Sequence, residues 1–127
     1  MRRVGALVLA SGTTDYDVVI AGGGPGGGAC AVALVRAGVA PGRVLIVDKA
    51  RFPREKPCGG GLTGHCADAM AAPGLEGSVP AIASASARVR FGSWSRTVTM
   101  QRPVVIFRRE EFDASLLAQA AALGVEV

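Results

Sequence analysis

Apolar residues change their spacing several times along this chain, and each change marks a different element. Asp17-Val18-Val19-Ile20-Ala21 is a continuous β-branched run, the pattern of a strand buried on both faces of a parallel sheet. It enters a glycine tract, Gly22-Gly23-Gly24-Pro25-Gly26-Gly27-Gly28. Ala29 to Ala37 is small and apolar around Leu34 and Val35, which predicts a helix closed by Gly38. Pro41-Gly42 turns the chain, and Val44-Leu45-Ile46-Val47 reads as a second buried strand ending at Asp48. Strand, glycine turn, helix and strand in about 30 residues make a βαβ unit, whose crossover should be right-handed.

The pattern then becomes irregular. Residues 51–61 are loop by composition, with two prolines and three glycines. Thr63 can cap a short helix reaching about Ala72, where Pro73-Gly74 stops it. Ser86 to Phe91 and Arg96 to Gln101 alternate like half-buried strands around a turn near Gly92-Ser93, and Val104 to Phe107 reads as another strand. Phe112, Leu116, Leu117, Ala120 and Leu123 have helical spacing within Glu110 to Leu123, and Val125-Glu126-Val127 begins a further strand. The expected fold class is therefore α/β, a Rossmann-like βαβ unit with an inserted small antiparallel β region. Residues 1–15 form a tail and 16–127 one domain, incomplete at its C-terminal side because two parallel strands cannot bury a doubly wound sheet.

Composition narrows the function. Half the 127 residues are hydrophobic and 19% are charged, too apolar a mixture for disorder. No apolar run approaches the roughly 18 residues of a membrane-spanning helix. Twelve of the fourteen basic residues are arginine, scattered among ten acids, and aromatics are only 5%. That mild balance of +4 sets nucleic acid aside as a partner. Cys30, Cys58 and Cys66 suggest neither a disulfide framework nor, with the lone His65, a zinc site. A reducing, cytoplasmic compartment follows. Met1-Arg2-Arg3 and the apolar run Val4 to Ala10 imitate a short signal peptide, and a disordered start is the competing reading.

The chemistry centres on Gly22-x-Gly24-x-x-Gly27, between a predicted strand and a predicted helix. Gly22 permits the tight turn, Gly24 lets the backbone touch a pyrophosphate, and Gly27 lets the helix pack closely on the sheet. The anion would lie over the first free N–H groups of the helix, at the positive end of its dipole. Pro25 fits there because a first-turn residue has no intrahelical partner for its N–H. Asp48 lies roughly 20 residues past the last motif glycine, where an acid accepts hydrogen bonds from an adenosine ribose. Lys49 follows it, and no lysine follows the glycines as a phosphate loop of the GxxxxGK type requires.

Tyr16 to Gly28, followed by Val44-Leu-Ile-Val-Asp48-Lys49, resembles the start of an FAD-dependent oxidoreductase. Phe52-Pro-Arg-Glu-Lys-Pro-Cys-Gly-Gly-Gly-Leu62-Thr resembles the geranylgeranyl reductase family, within the larger group that holds p-hydroxybenzoate hydroxylase and the flavin-dependent halogenases. Arg109-Glu-Glu-Phe-Asp113, with Leu116, Ala120 and Gly124, is similar to that group's R-x-x-F-D segment. The resemblance implies FAD on Gly22, Gly24, Pro25, Gly26 and Gly27, with Asp48 and Lys49 beside the adenosine ribose. It implies that Arg109 holds the FAD phosphate or ribityl region, and that Cys58, Gly59 and Gly60 lie near the isoalloxazine ring. NAD(P)H as electron donor follows, with a small isoprenoid or aromatic substrate undergoing C=C reduction or monooxygenation. Peripheral membrane contact would suit lipid substrates, although no amphipathic basic helix supports it. Asp48 stands where the group commonly has Glu, and Gly26 and Gly28 where Ala and Ser are usual. The segment with a Gly-Asp motif that members carry further on is not in this sequence.

Other residues have simpler expected roles. Cys30 reads as helix packing, His65 as a solvated or capping residue, and Trp94 as packing near a turn. Glu110 and Glu111 suit the start of their helix. Cys58 reads equally as a flavin-adjacent thiol and as a loop filler, and no residue stands out as a catalytic acid or base. A NAD-dependent dehydrogenase module, an inactive nucleotide-binding remnant of a truncated gene, and an interaction surface on the strands of 86–107 are the competing functions.

Overall fold

The computed structural model describes residues 15–75 and 77–127. The signal-like run Val4 to Ala10 lies outside the described residues. Among the described residues, two sheets and three α-helices make up the fold. Strands β1 (Val18–Ala21) and β2 (Val44–Val47) pair in parallel, Val18 opposite Val44 through Ala21 opposite Val47. Helix α1 (Pro25–Arg36) connects them, followed by a single 3₁₀ turn at Pro41–Arg43. Beyond β2 come the two-residue β3 (Gly61–Leu62) and α2 (Gly64–Ala71), then the long strands β4 (Ala81–Phe91) and β5 (Trp94–Phe107), and α3 (Arg109–Ala122). The second sheet is antiparallel, in the order β3-β5-β4. This is the α/β architecture with an antiparallel insertion that the chain's periodicity predicts.

Helix α1 starts at Pro25, four residues before the apolar run that signals it. The Gly28 N–H already donates to the Gly24 carbonyl at 3.0 Å, so the glycines form its first turn despite their poor propensity. Close packing explains this. A Cβ on Gly27 would stand 1.9 Å from the Gly22 carbonyl oxygen, and one on Gly28 would stand 3.0 Å from Leu116 Cβ on α3. Gly38 ends the helix with φ +102°, and the Val39 N–H returns to the Leu34 carbonyl at 3.1 Å.

Ala31 and Val32 of α1, Val44 and Ile46 of β2, and Phe112, Leu116, Leu117 and Ala120 of α3 form the buried core. β1 and β2 were expected to be covered on both faces, but only one is. Val19 is 58% exposed and Val47 43%, because no described element packs over that side. The strand begun at Val125 does join: the Ile46 N–H donates to the Glu126 carbonyl at 2.8 Å, and Leu45 and Glu126 make a parallel bridge.

Three other expectations are corrected. Val104 to Phe107 is not a separate strand but the end of the 14-residue β5. The ladder nevertheless skips from the Ser84–Val104 pair to the Ser86–Thr99 pair, and Pro103, which has no N–H to give, falls in that bulge. The alternating strands are not half-buried, since nearly all of β4 and β5 beyond the bulge is exposed. Cys30 and Trp94 are exposed too, so neither is a packing residue. Thr63 does cap α2, its Oγ1 accepting from the Cys66 N–H at 3.4 Å.

Two glycines of one helix turn should respond oppositely to the same methyl group. Gly27→Ala should cost about 1–3 kcal/mol or more, since its Cβ meets backbone. Gly26→Ala, with open space around its Cβ position, should gain about 0.5–1 kcal/mol. Urea unfolding of both variants measures the difference.

Candidate functional site

The site grows from the end of β1. Gly22 takes φ +114°, a backbone shape L side chains rarely adopt, and its N–H donates to the Val47 carbonyl at 2.7 Å. The turn so formed aims the next amide at the neighbouring strand. There the Gly23 N–H donates to Asp48 Oδ2 at 2.8 Å, while Oδ1 accepts from the Ala50 N–H at 2.9 Å. These two amides, Ala50 first and Gly23 second, hold the Asp48 carboxyl below the usual carboxylate range. Asp48 is therefore an anion locked beside the glycine turn. Ala21, Gly22, Val47, Asp48 and Lys49 line an open cavity of about 460 Å³ at the carboxyl ends of β1 and β2. Open α/β sheets bind ligands at such strand ends. A larger hollow of about 540 Å³, among Ile46, Arg51, Phe52, Leu117 and Ala121, also touches Asp48.

A second group of residues assembles around α3. Arg109 and Asp113 stand one helical turn apart, and the guanidinium grips the carboxylate with two bonds of 2.7 and 2.8 Å. Asp113 is fully buried. Arg54, from the loop after β2, brings a second guanidinium within 3.4 Å of Asp113 Oδ2 and stacks over the Phe52 ring at 4.6 Å. Phe112 stacks on Phe107, with ring centroids 4.6 Å apart. The buried carboxylate thus ties α3 to the loop, and the ring pair ties α3 to the antiparallel sheet. Bonding to Asp113 keeps the Arg109 guanidinium charged still more firmly than usual.

The loop at Cys58 closes on this cluster. Gly60 takes φ +68°, where a Cβ would lie 2.0 Å from the Phe107 carbonyl oxygen, and its own carbonyl accepts from the Phe107 N–H at 3.0 Å. The Gly60 amide, and after it the Arg109 guanidinium, hold the Cys58 thiol below its ordinary range. Pro25, Cys58, Gly60, Arg109 and Phe112 line a cavity of about 190 Å³.

The residues expected at the site therefore gather in two places. Gly22, Asp48 and Lys49 share one cavity; Pro25, Cys58, Gly60 and Arg109 share the other. Gly24, Gly26 and Gly27 lie at the start of α1. Gly59 belongs to the Cys58 loop and has nothing within 4 Å of its Cβ position.

Arg54, from the loop before Cys58, is a further site residue, placed beside Asp113 and Gly24. Its Nη1 is buried without a hydrogen-bond partner among the described residues, and its Nη2 lies 3.6 Å from the Cβ position of Gly24. An anion over Gly24 would meet that charge. The only available sequence signal was an arginine in a loop of mixed charges. Asp113, visible only as part of a motif, proves to be the anion both arginines share.

A glycine turn at the end of a parallel strand, an acid on its neighbour and a helix starting over both define a Rossmann-like nucleotide-binding flavoprotein fold. The chain belongs to the FAD binding domain family, whose model matches residues 15–127. An uncharacterised protein of Methanosarcina barkeri is 35% identical over 112 residues, 86% of this chain and 27% of the relative. Menaquinone reductase of Mycobacterium tuberculosis is 55% identical over 47 residues, 37% of this chain and 11% of that enzyme. Among solved structures, a geranylgeranyl bacteriochlorophyll reductase-like protein from Thermoplasma acidophilum superposes with a TM-score of 0.71 at 28% identity. That match covers 88% of this chain and 29% of the other. The flavin-dependent brominase Bmp2 superposes with a TM-score of 0.64 at 29% identity, covering 89% of this chain and 29% of that one. The chain thus spans less than a third of the length of these relatives.

Removing the shared anion should be costly. Asp113→Ala strands two guanidiniums at a buried position and should cost about 3–5 kcal/mol in denaturant unfolding. Cys58 should show its lowered pKa chemically. Because the folded state favours the thiolate, the alkylation rate of Cys58 should rise with pH through a lower midpoint than in the urea-unfolded chain. Peptide mapping after timed labelling measures both midpoints.

Proposed function

We propose that this chain is the FAD-binding portion of a flavin-dependent reductase acting on isoprenoid C=C bonds. The observation that carries the cofactor reading is the Asp48 carboxylate, fixed on the Gly23 N–H at the rim of the cavity that Gly22 and Lys49 also line. The site fits FAD on three counts. A carboxylate held ionised accepts two ribose hydroxyls and repels a 2′-phosphate, which favours FAD or NAD over a phosphorylated relative. Helix α1 begins at Pro25 beside the turn, so its first amides face a diphosphate, and Arg54 stands ready near Gly24. Gly26 and Gly59 are bare although no protein atom lies within 4 Å of their Cβ positions, which leaves their backbones open to a ligand.

When bound, FAD supplies the two-electron chemistry, with NAD(P)H as the external donor. The chain's residues do the positioning. Asp48 and Lys49 orient the adenosine half, and Gly24, Gly26 and Gly27 receive the diphosphate. Arg109, already fastened by Asp113, sets its remaining donors toward the phosphate or ribityl side. Cys58, Gly59 and Gly60 form the wall nearest the ring, and the Cys58 thiolate adds negative charge there above its lowered pKa. The family match favours FAD over NAD. The reductase reading over monooxygenation rests on the relatives named as menaquinone reductase and geranylgeranyl bacteriochlorophyll reductase-like.

Flavin fluorescence during titration of the purified protein tests the reading. FAD should be quenched on binding, and NAD⁺ should fail to displace it. Asp48→Ala should weaken FAD about 10- to 100-fold, the worth of charge-assisted hydrogen bonds. Anaerobic reoxidation of the reduced flavin by a geranylgeranyl compound, but not by an aromatic acid, should identify the substrate class. A folded protein that binds NAD⁺ and ignores FAD would contradict the proposal.

A further inference from the structure

Two guanidiniums and one carboxylate leave the Asp113 cluster with a surplus positive charge. Arg109 forks onto Asp113 at 2.7 and 2.8 Å, and Arg54 Nη1 approaches the same carboxylate to 3.4 Å. Both arginine side chains are 17% exposed and Asp113 is fully buried, so residues of this chain itself enclose the group. Charges held in that way act on their neighbours far more strongly than charges in water. Each guanidinium has a further place for an anion.

On the Arg109 side the anion belongs to the chain. Cys58 and Arg109 line the cavity of about 190 Å³ together, and the guanidinium hydrogen-bonds the Cys58 sulfur. Cys58 faces the Gly60 amide from its own loop, and Arg109 with Asp113 behind it from α3. Glu55, Lys56, Arg108 and Glu110, two charges of each sign, lie in a separate hollow on the other flank of Arg109. On the Arg54 side the place is left to a ligand. Nη1 is buried with no hydrogen-bond partner among the described residues, and Nη2 lies 3.6 Å from the Cβ position of Gly24, where α1 begins. Asp48 acts on Arg54 from across the glycine turn, but its two oxygens are taken by the Gly23 and Ala50 amides and Lys49 offsets its charge.

We propose that the Cys58 thiolate and a diphosphate over Gly24 compete for this one surplus charge, with Arg54 as the positioning residue that couples them through Asp113. When a diphosphate engages Arg54, Asp113 is left to Arg109 alone and the positive field at Cys58 falls. A proton from solvent then returns to the sulfur. When Cys58 ionises first, two guanidiniums face two anions, the cluster is neutral, and the diphosphate is held less tightly. Both effects express one coupling free energy, so they are equal in size. The site therefore grips a diphosphate tightly below the Cys58 midpoint and more weakly above it. The inference rests on the reading of Gly24 as a diphosphate seat. It adds that the grip on the nucleotide end depends on the protonation of a thiol at the other end.

ADP-ribose is the probe, because it carries the adenosine and diphosphate of FAD without the ring that would cover Cys58, and its diphosphate does not titrate in the alkaline range. Calorimetric titration of the protein at a series of pH values should show the affinity falling about fivefold as pH rises through the Cys58 midpoint. Proton uptake should appear there as binding heats that change with the buffer. Timed alkylation with peptide mapping should place the midpoint about 0.7 of a pH unit higher when ADP-ribose is saturating. Cys58→Ser should remove the pH dependence. Arg54→Gln, its fold checked by far-UV circular dichroism, should raise the Cys58 midpoint with no ligand present and lose the pH dependence as well. The measurements on the unsubstituted protein decide the matter whether or not that variant folds. An affinity that stays level or rises through the midpoint, or the same fall in Cys58→Ser, would overturn the coupling alone. Failure of ADP-ribose to bind at every pH would overturn the diphosphate seat and the coupling with it.

Discussion

The close approach of Gly27 to the Gly22 carbonyl is the constraint on which the site depends. With no side chain at position 27, α1 can begin directly above the end of β1, and its first turn is built from glycine. That placement brings the Gly23 amide against Asp48 on the next strand, so the turn, the helix start and the acid become one rigid unit. Gly28 extends the same economy to the other side, where α1 meets Leu116 of α3. Bulkier residues at either point would push the helix away and open the Asp48 contact.

α3 provides the second anchor. Asp113 is buried, yet it satisfies Arg109 with a forked pair and draws in Arg54 from the loop. A buried carboxylate of this kind is tolerable only because its charge is matched, and its worth lies as much in fixed geometry as in stability. It fastens Arg109 at the mouth of the cavity shared by Cys58, Gly60 and Pro25. The two halves of the proposed FAD seat therefore rest on two separate carboxylates, Asp48 for the nucleotide end and Asp113 for the end toward the ring.

Much of this was legible in the sequence because it is local. β-branched runs specify β1 and β2, the glycine spacing specifies the turn, Thr63 marks a helix start with its side-chain oxygen, and Gly38 and Gly124 follow helix ends with positive φ. What was not legible depends on contacts between distant segments. Nothing near Arg54 in the chain announces that it will lie against Gly24 and Asp113. The first turn of α1 runs through glycines, which propensity disfavours and close packing against the Gly22 carbonyl and Leu116 demands. Burial was overestimated for Val19, Val47, Cys30 and Trp94 for a related reason: an apolar residue states that it can be covered, not that a covering element lies within these residues.

The most direct measurement of the central claim is a crystal structure of the protein with FAD bound. The account requires diphosphate oxygens within hydrogen-bond distance of the first amides of α1, the adenosine ribose on Asp48, and the Arg54 Nη1 newly partnered. An adenosine half lodged elsewhere, with Asp48 still facing only Gly23 and Ala50, would contradict it.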